Sequence, residues 1–113
     1  MDDYIRLINK AENYIENNLD KKIILDDLAS NINMSKFYFH RIFKKYSQET
    51  IKQFIRRIKM ERSALFLTVR KDISITEIAL RYGYSDSSSY NKAFKQYYGI
   101  SPFEYRKARN DKL

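Results

Sequence analysis

The chain repeats itself once. Residues 28–46 read LASNINMSKFYFHRIFKKY, and residues 78–97 read IALRYGYSDSSSYNKAFKQY. Leu28, Ala29 and Ser35 correspond to Ile78, Ala79 and Ser85 at an offset of 50. Phe39, Arg41, Phe43, Lys44 and Tyr46 correspond to Tyr90, Lys92, Phe94, Lys95 and Tyr97 at an offset of 51. The slip falls between Ser35 and Phe39, so the second copy is one residue longer near its turn. A solenoid needs about three or more units, so a single repetition signals a duplicated supersecondary motif. The fold must hold two similar modules within 113 residues.

The local signals are helical. With 2 Gly and 1 Pro, the chain is too poor in turn formers for a hairpin-rich fold. A first helix is expected over 3–18, with Ile5, Ile8, Ala11, Ile15 and Leu19 as its apolar stripe. Short helices follow over 25–31 and 36–47. Thr50 and Gln53 form a capping box that opens a long helix over 50–68, and Ser74 with Glu77 repeats that signature for a helix over 75–81. Asp86 or Ser85 caps a helix over 87–98, which Gly99 ends. Ser101, Pro102 and Glu104 then supply an N-cap, a first-turn proline and a box partner for a helix over 102–109. The tail from Asn110 is expected to fray. The core can draw on 10 Tyr and 7 Phe. There is no Cys, hence no disulfide. No apolar run approaches the roughly 20 residues of a membrane span, and the amino terminus lacks signal-peptide character. The expected location is the cytoplasm.

Charge is unevenly spread. Residues 1–20 carry two cations against five carboxylates, a net of −3, while the other 93 residues carry 20 against nine, a net of +11. The densest stretch, 35–62, has nine Lys or Arg against Glu49 and Glu61. Such a patch attracts polyanions, though basic surfaces serve other partners too.

Each repeat has the parts of a helix-turn-helix. A small residue must sit where the second helix crosses the first, and Ala29 and Ala79 fit. Four residues later the turn needs positive φ, which Asn33 and Gly83 tolerate. The second helix must then show two faces. Phe39, Ile42, Phe43 and Tyr46 form a core stripe, matched by Tyr90, Ala93, Phe94 and Tyr97. The adjacent stripe is Phe37, His40, Arg41 and Lys44, matched by Ser88, Asn91, Lys92 and Lys95. Arg and Lys suit guanine, Asn suits adenine and Ser suits either. A polar stripe is more often a solvated face. What raises this one is its recurrence, in step with the alanine, the turn residue and the core stripe.

Phe37 either meets a thymine methyl or packs under the preceding turn. His40 is the sole histidine, and without Cys or a second His it is no metal site; its place favours a base or phosphate contact. Ser87, with Ser88 and Ser89, either starts its helix or meets bases from the first turn. Candidate base readers are therefore Phe37, His40, Arg41, Ser87, Ser88, Asn91 and Lys92. No nucleophile–base pair, metal cluster or phosphate-cradling glycine loop is present, so no enzymatic role, cofactor or metal is expected.

The stretch ITEIALRYGYSDSSSYNKAFKQYYGISPFEYR, residues 75–106, resembles the DNA-binding domain of the AraC/XylS family of bacterial transcription regulators. Ile78-Ala79, Gly83-Tyr84, Asp86, Phe94-Lys95, Gly99, Ser101-Pro102 and Tyr105-Arg106 stand in the family's order. The first copy is similar through Leu28-Ala29, Met34-Ser35, Arg41 and Phe43-Lys44. Two departures are Lys92, where many members have arginine, and Asn33, where glycine is frequent. A lysine acts more as a point charge than as a fork.

The resemblance implies an all-α fold of seven helices. Two helix-turn-helix subdomains, 1–49 and 69–113, would be joined by the long helix 50–68. That connector would span roughly 28 Å at 1.5 Å per residue, close to the roughly 34 Å of one DNA turn. The helices 36–47 and 87–98 would read successive major-groove segments of double-stranded DNA. Phosphate contacts would come from Lys36, Lys44, Lys45, Arg56, Arg57, Lys59, Arg62, Lys95 and Arg106. The expected function is a sequence-specific regulator, an activator beside RNA polymerase, bound to DNA as a monomer. The initial Met favours a stand-alone regulator over a fragment of one with an effector domain. The rival from another class is a basic helical adaptor for RNA or a protein.

Overall fold

The computed structural model describes residues 2–111. Those residues form seven α-helices and no strand: α1 (Asp2–Glu16), α2 (Leu25–Asn31), α3 (Lys36–Tyr46), α4 (Ile51–Val69), α5 (Ile75–Arg81), α6 (Ser87–Tyr98) and α7 (Pro102–Asp111). The all-α expectation of seven helices is borne out. α1 ends at Glu16, short of the expected 18, and α7 continues through Asn110 and Asp111, where fraying was expected. The rest of that expected tail, Lys112 and Leu113, lies outside the described residues.

The helix ends follow the sequence chemistry. Ser35 Oγ accepts from the Tyr38 amide at 3.1 Å, and Asp86 Oδ1 from the Ser89 amide at 2.8 Å. The Thr50–Gln53 box is reciprocal, with 2.9 and 3.1 Å bonds. Ser101 and Glu104 form a second such box, at 3.4 and 3.1 Å. Ser74 caps Glu77 at 3.0 Å, while the Glu77 carboxylate accepts from Arg81. Hydrogen bonds from Ser89 hold the Asp86 carboxyl below the usual carboxylate range.

The chain forms two compact units. One comprises the described parts of Met1–Asn18 and Lys22–Ile58; the other comprises Leu19–Lys21 and the described parts of Lys59–Leu113. α4 contributes its beginning to the first and its remainder to the second. In the first unit Leu7, Ala11 and Ile15 of α1 are buried with Leu28, Phe39, Phe43, Phe54 and Ile58. The expected α1 stripe needs correction at its start, because Ile5 is exposed and Leu7 takes the buried position. Six residues separate Ile5 from Ala11, which turns it roughly 120° away, whereas Leu7 lies one helical turn before Ala11.

In the second unit Met60, Ala64 and Leu67 of α4 join Ile73, Ile78, Ala79, Tyr82, Tyr90 and Phe94, with Leu19 packed against them. The repeat reaches further here than the sequence windows suggested. Thr50–Gln53 and Ser101–Glu104 stand 51 residues apart, as do Phe54 and Tyr105. Phe54 meets Phe43 edge-on at 5.4 Å, and Tyr105 meets Phe94 edge-on at 5.3 Å. Each unit is thus closed by a boxed helix that presses an aromatic ring on the preceding one.

The correspondence fails at one expected core position. Tyr97 is exposed, and its neighbour Tyr98 packs on Phe94 at 4.7 Å and on Tyr105 at 5.3 Å. α6 ends at Gly99, so its last turn faces α7 through Tyr98. Burial pushes the Tyr98 hydroxyl up to about 12. Tyr90 is fully buried, and its hydroxyl has no hydrogen-bond partner although Ser63 is near; Ser63 instead donates to the Met60 carbonyl at 3.0 Å. An unsatisfied buried hydroxyl costs free energy. Tyr90→Phe is therefore expected to leave stability unchanged or raise it by up to about 1 kcal/mol in thermal unfolding. A clear loss would mean the hydroxyl has a partner.

Candidate nucleic-acid interface

Both units build the same turn. Met34 N donates to Ala29 O at 2.9 Å, and Tyr84 N to Ala79 O at 3.0 Å. Asn33 N donates to Ser30 O and Gly83 N to Leu80 O, each at 3.1 Å. Asn33 has φ +56° and Gly83 φ +86°, as their residue types led one to expect. Ala29 and Ala79 are both buried, as a close helix crossing demands. Only the second turn demands glycine for space as well, since a Cβ on Gly83 would lie 2.7 Å from the Asp20 carbonyl oxygen.

Each turn aims a helix with one face inward. Phe39 and Phe43 bury the inner face of α3, and Tyr90 and Phe94 that of α6. The opposite stripes are exposed. Phe37, His40, Arg41 and Lys44 stand on α3, with Phe37 78% exposed. That exposure excludes the alternative that Phe37 packs under the preceding turn. Ser88, Asn91, Lys92 and Lys95 stand on α6, while Ser87 is half-buried beside the Asp86 cap. The Arg41 guanidinium lies over the Tyr38 ring at 5.3 Å, which orients it.

The expected phosphate cations divide. Lys36, Lys44, Lys45, Arg56, Arg62 and Lys95 are exposed. Lys36 approaches Asp26 only at 3.9 Å, an exposed pair of little weight. Arg57, Lys59 and Arg106 are half-buried. Arg57 makes a two-pronged bond to Glu49, with contacts of 2.8 and 3.0 Å. Lys59 Nζ donates to the Lys21 carbonyl at 2.6 Å, and burial lowers its pKa against the pull of Asp20. Arg106 donates to the carbonyls of Leu67 and Arg70 at 2.9 and 3.1 Å, closing the end of α4. The sequence showed their charge but not their partners.

A recess of about 470 Å³ beside α3 has a mixed lining, with Phe43 and Ile51 beside His40, Lys44, Ser47 and Gln48. Nothing in the sequence singles out Ser47 or Gln48, because hydroxyl and amide side chains are ordinary in a loop. Among the described residues no cluster of His, Cys, Asp or Glu is arranged to hold a metal, and no helix is long and apolar enough to cross a membrane.

Two capped, solvent-facing helices on duplicated turns define a double helix-turn-helix DNA-binding domain. The family model for a helix-turn-helix domain matches residues 28–108. The chain belongs to the AraC/XylS family of transcription regulators. It is 36% identical over 100 residues to the Msm operon regulatory protein of Streptococcus mutans, a match covering 88% of this chain and 36% of that protein. It is 33% identical over 100 residues to the HTH-type transcriptional activator AarP of Providencia stuartii, covering 88% of this chain and 73% of AarP. Among solved structures, the C-terminal domain of the response regulator AraT from Geobacillus stearothermophilus is 30% identical. It superposes with a TM-score of 0.74 over 91% of this chain and 85% of that one. The chain therefore spans about a third of the streptococcal regulator's length. These relatives are regulators of a non-enzymatic family.

Proposed function

We propose that the chain is a sequence-specific regulator that activates transcription by binding one DNA duplex as a monomer. α3 and α6 enter two successive major-groove segments. The observation that supports this best is the matched exposure of two stripes, each on an N-capped helix backed by a buried aromatic ridge. α4 is one unbroken helix of 19 residues that begins in the first unit and continues in the second.

Phe37 meets a thymine methyl, Arg41 a guanine, and His40 a base or phosphate. Asn91 suits adenine, while Ser87, Ser88 and Lys92 add polar readout. Because the two stripes differ, the site need not be a palindrome. Lys36, Lys44, Lys45, Arg56, Arg62 and Lys95 neutralise phosphates and fix position without reading sequence. Arg57, Lys59 and Arg106 are left out of that set because their head groups hold the fold. The protein works in the cytoplasm and contacts RNA polymerase, in line with the activator named among its relatives.

Selection of bound duplexes from a random pool tests this. The expected site has two dissimilar segments about ten base pairs apart. A single short segment, or equal retention of structured RNA at matched salt, would overturn the reading. Binding is expected to weaken with salt on a log–log slope of about −5 to −9, from roughly six to ten phosphate contacts. Arg41→Ala is expected to lose about 1–3 kcal/mol of affinity and to relax preference at one or two base pairs. A uniform loss over all sequences, seen in competition shifts, would remove Arg41 from the readers.

A further inference from the structure

The geometry points to a binding site for a small aromatic acid in the groove between α1 and the first helix-turn-helix turn. This groove of about 250 Å³ has Leu7, Ile32 and Met34 as its apolar lining, with Tyr38 at its side. Arg6 and Lys10, one helical turn apart on α1, complete the rim with Asp3. They are the only two cations in residues 1–20. Both are exposed, and neither makes an ion pair among the described residues. The Asp3 carboxylate accepts a long 3.5 Å contact from the Tyr38 hydroxyl, and the two cations outnumber it on the rim.

The internal repeat supplies the comparison that identifies the occupant. Ile32 and Tyr82 are equivalent helix-end residues, with φ, ψ of −107°, 16° and −100°, 15°. Met34 and Tyr84 make the same bond to the alanine carbonyl of their own motif. With matching backbones, their side chains leave in matching directions. In the second unit those directions carry phenol rings: Tyr82 is buried against Phe66 at 6.2 Å, and Tyr84 packs on Tyr90 at 5.4 Å. In the first unit the smaller Ile32 and the unbranched Met34 stand there, and both remain half-buried. A planar ring fits where the duplicate module carries rings of its own, and a carboxylate on that ring meets Arg6 and Lys10. Apolar walls with a few convergent charges are the usual form of a small-ligand site.

The test uses 2-naphthoate as probe, titrated into the full chain without DNA and followed by amide NMR. Saturable shifts are expected at Arg6, Leu7, Lys10, Ile32 and Met34, with residues of α5 and α6 unmoved. The neutral 2-naphthylmethanol and the non-planar cyclohexanecarboxylate are expected to bind at least fivefold more weakly. Met34→Tyr, which copies the second module, is expected to abolish the shifts. Arg6→Ala with Lys10→Ala is expected to weaken naphthoate fivefold or more while leaving naphthylmethanol unchanged. Scattered or unsaturated shifts, or full binding by Met34→Tyr with an unaltered thermal midpoint, would overturn the site.

The groove touches the turn and Tyr38 of α3, so its occupancy is expected to change DNA affinity by threefold or more. That coupling rests on the interface proposed above. The titration without DNA does not, so the two can fail separately.

Discussion

Phe94→Ala is expected to cost about 3–5 kcal/mol of unfolding free energy, the range for deleting a fully enclosed ring. Phe94 is wholly buried, and three rings surround it: Tyr90 at 5.7 Å, Tyr98 at 4.7 Å and Tyr105 at 5.3 Å. Removing it strips both α6 and the closing helix α7 of their shared contact. The cavity cannot be refilled cheaply, because its lining is tyrosines whose positions are fixed by their own helices. Urea unfolding monitored at the Tyr98 and Tyr105 amides checks the size of the loss. A cost under about 1.5 kcal/mol would mean that the second unit collapses around the gap, contrary to the tight packing described.

Gly83→Ala is expected to be the most damaging change in either turn, at about 2–4 kcal/mol. Two effects add. The φ of +86° strains any side chain, and the new Cβ would press on the Asp20 carbonyl oxygen at 2.7 Å. That neighbour is backbone, so it yields only by moving the Leu19–Lys21 segment, which Lys59 also holds. Gly99→Ala is the natural control. It has nearly the same φ, +84°, but nothing within 4 Å, so only strain of about 1 kcal/mol remains. Equal midpoints for the two variants in thermal unfolding would remove the steric half of the argument.

Much of this architecture was legible in the residues. The offset of 50–51 announced the duplication, and the hydroxyl and carboxylate caps gave helix starts because their bonds are local. Asn33 and Gly83 gave the turns for the same reason. What escaped was set by three-dimensional neighbours. The repeat also embraces Phe54 and Tyr105, which follow the two boxes at the same offset, but only ring packing shows that the two do the same work. Ile5 and Leu7 are equally apolar, and only the packing of α1 decides which turns inward. Tyr97 and Tyr98 are adjacent and alike, and the position of α7 selects the second. Arg57, Lys59 and Arg106 read as free positive charge. Their partners are Glu49 and three backbone carbonyls, and the carbonyls leave no mark in a sequence. That Phe37, His40, Arg41, Asn91 and Lys92 would be exposed was legible because a helix with one committed face leaves the other by subtraction.

α4 closes one unit with Phe54 and Ile58 and opens the other with Met60 and Ala64, without a break between them. Each residue added or removed at that junction rotates everything beyond it by about 100°. One core or the other would then lose its anchoring side chains. The length of α4 is therefore quantised: only insertions or deletions of whole turns, in steps of roughly three or four residues, return the anchoring side chains of each core to their own face.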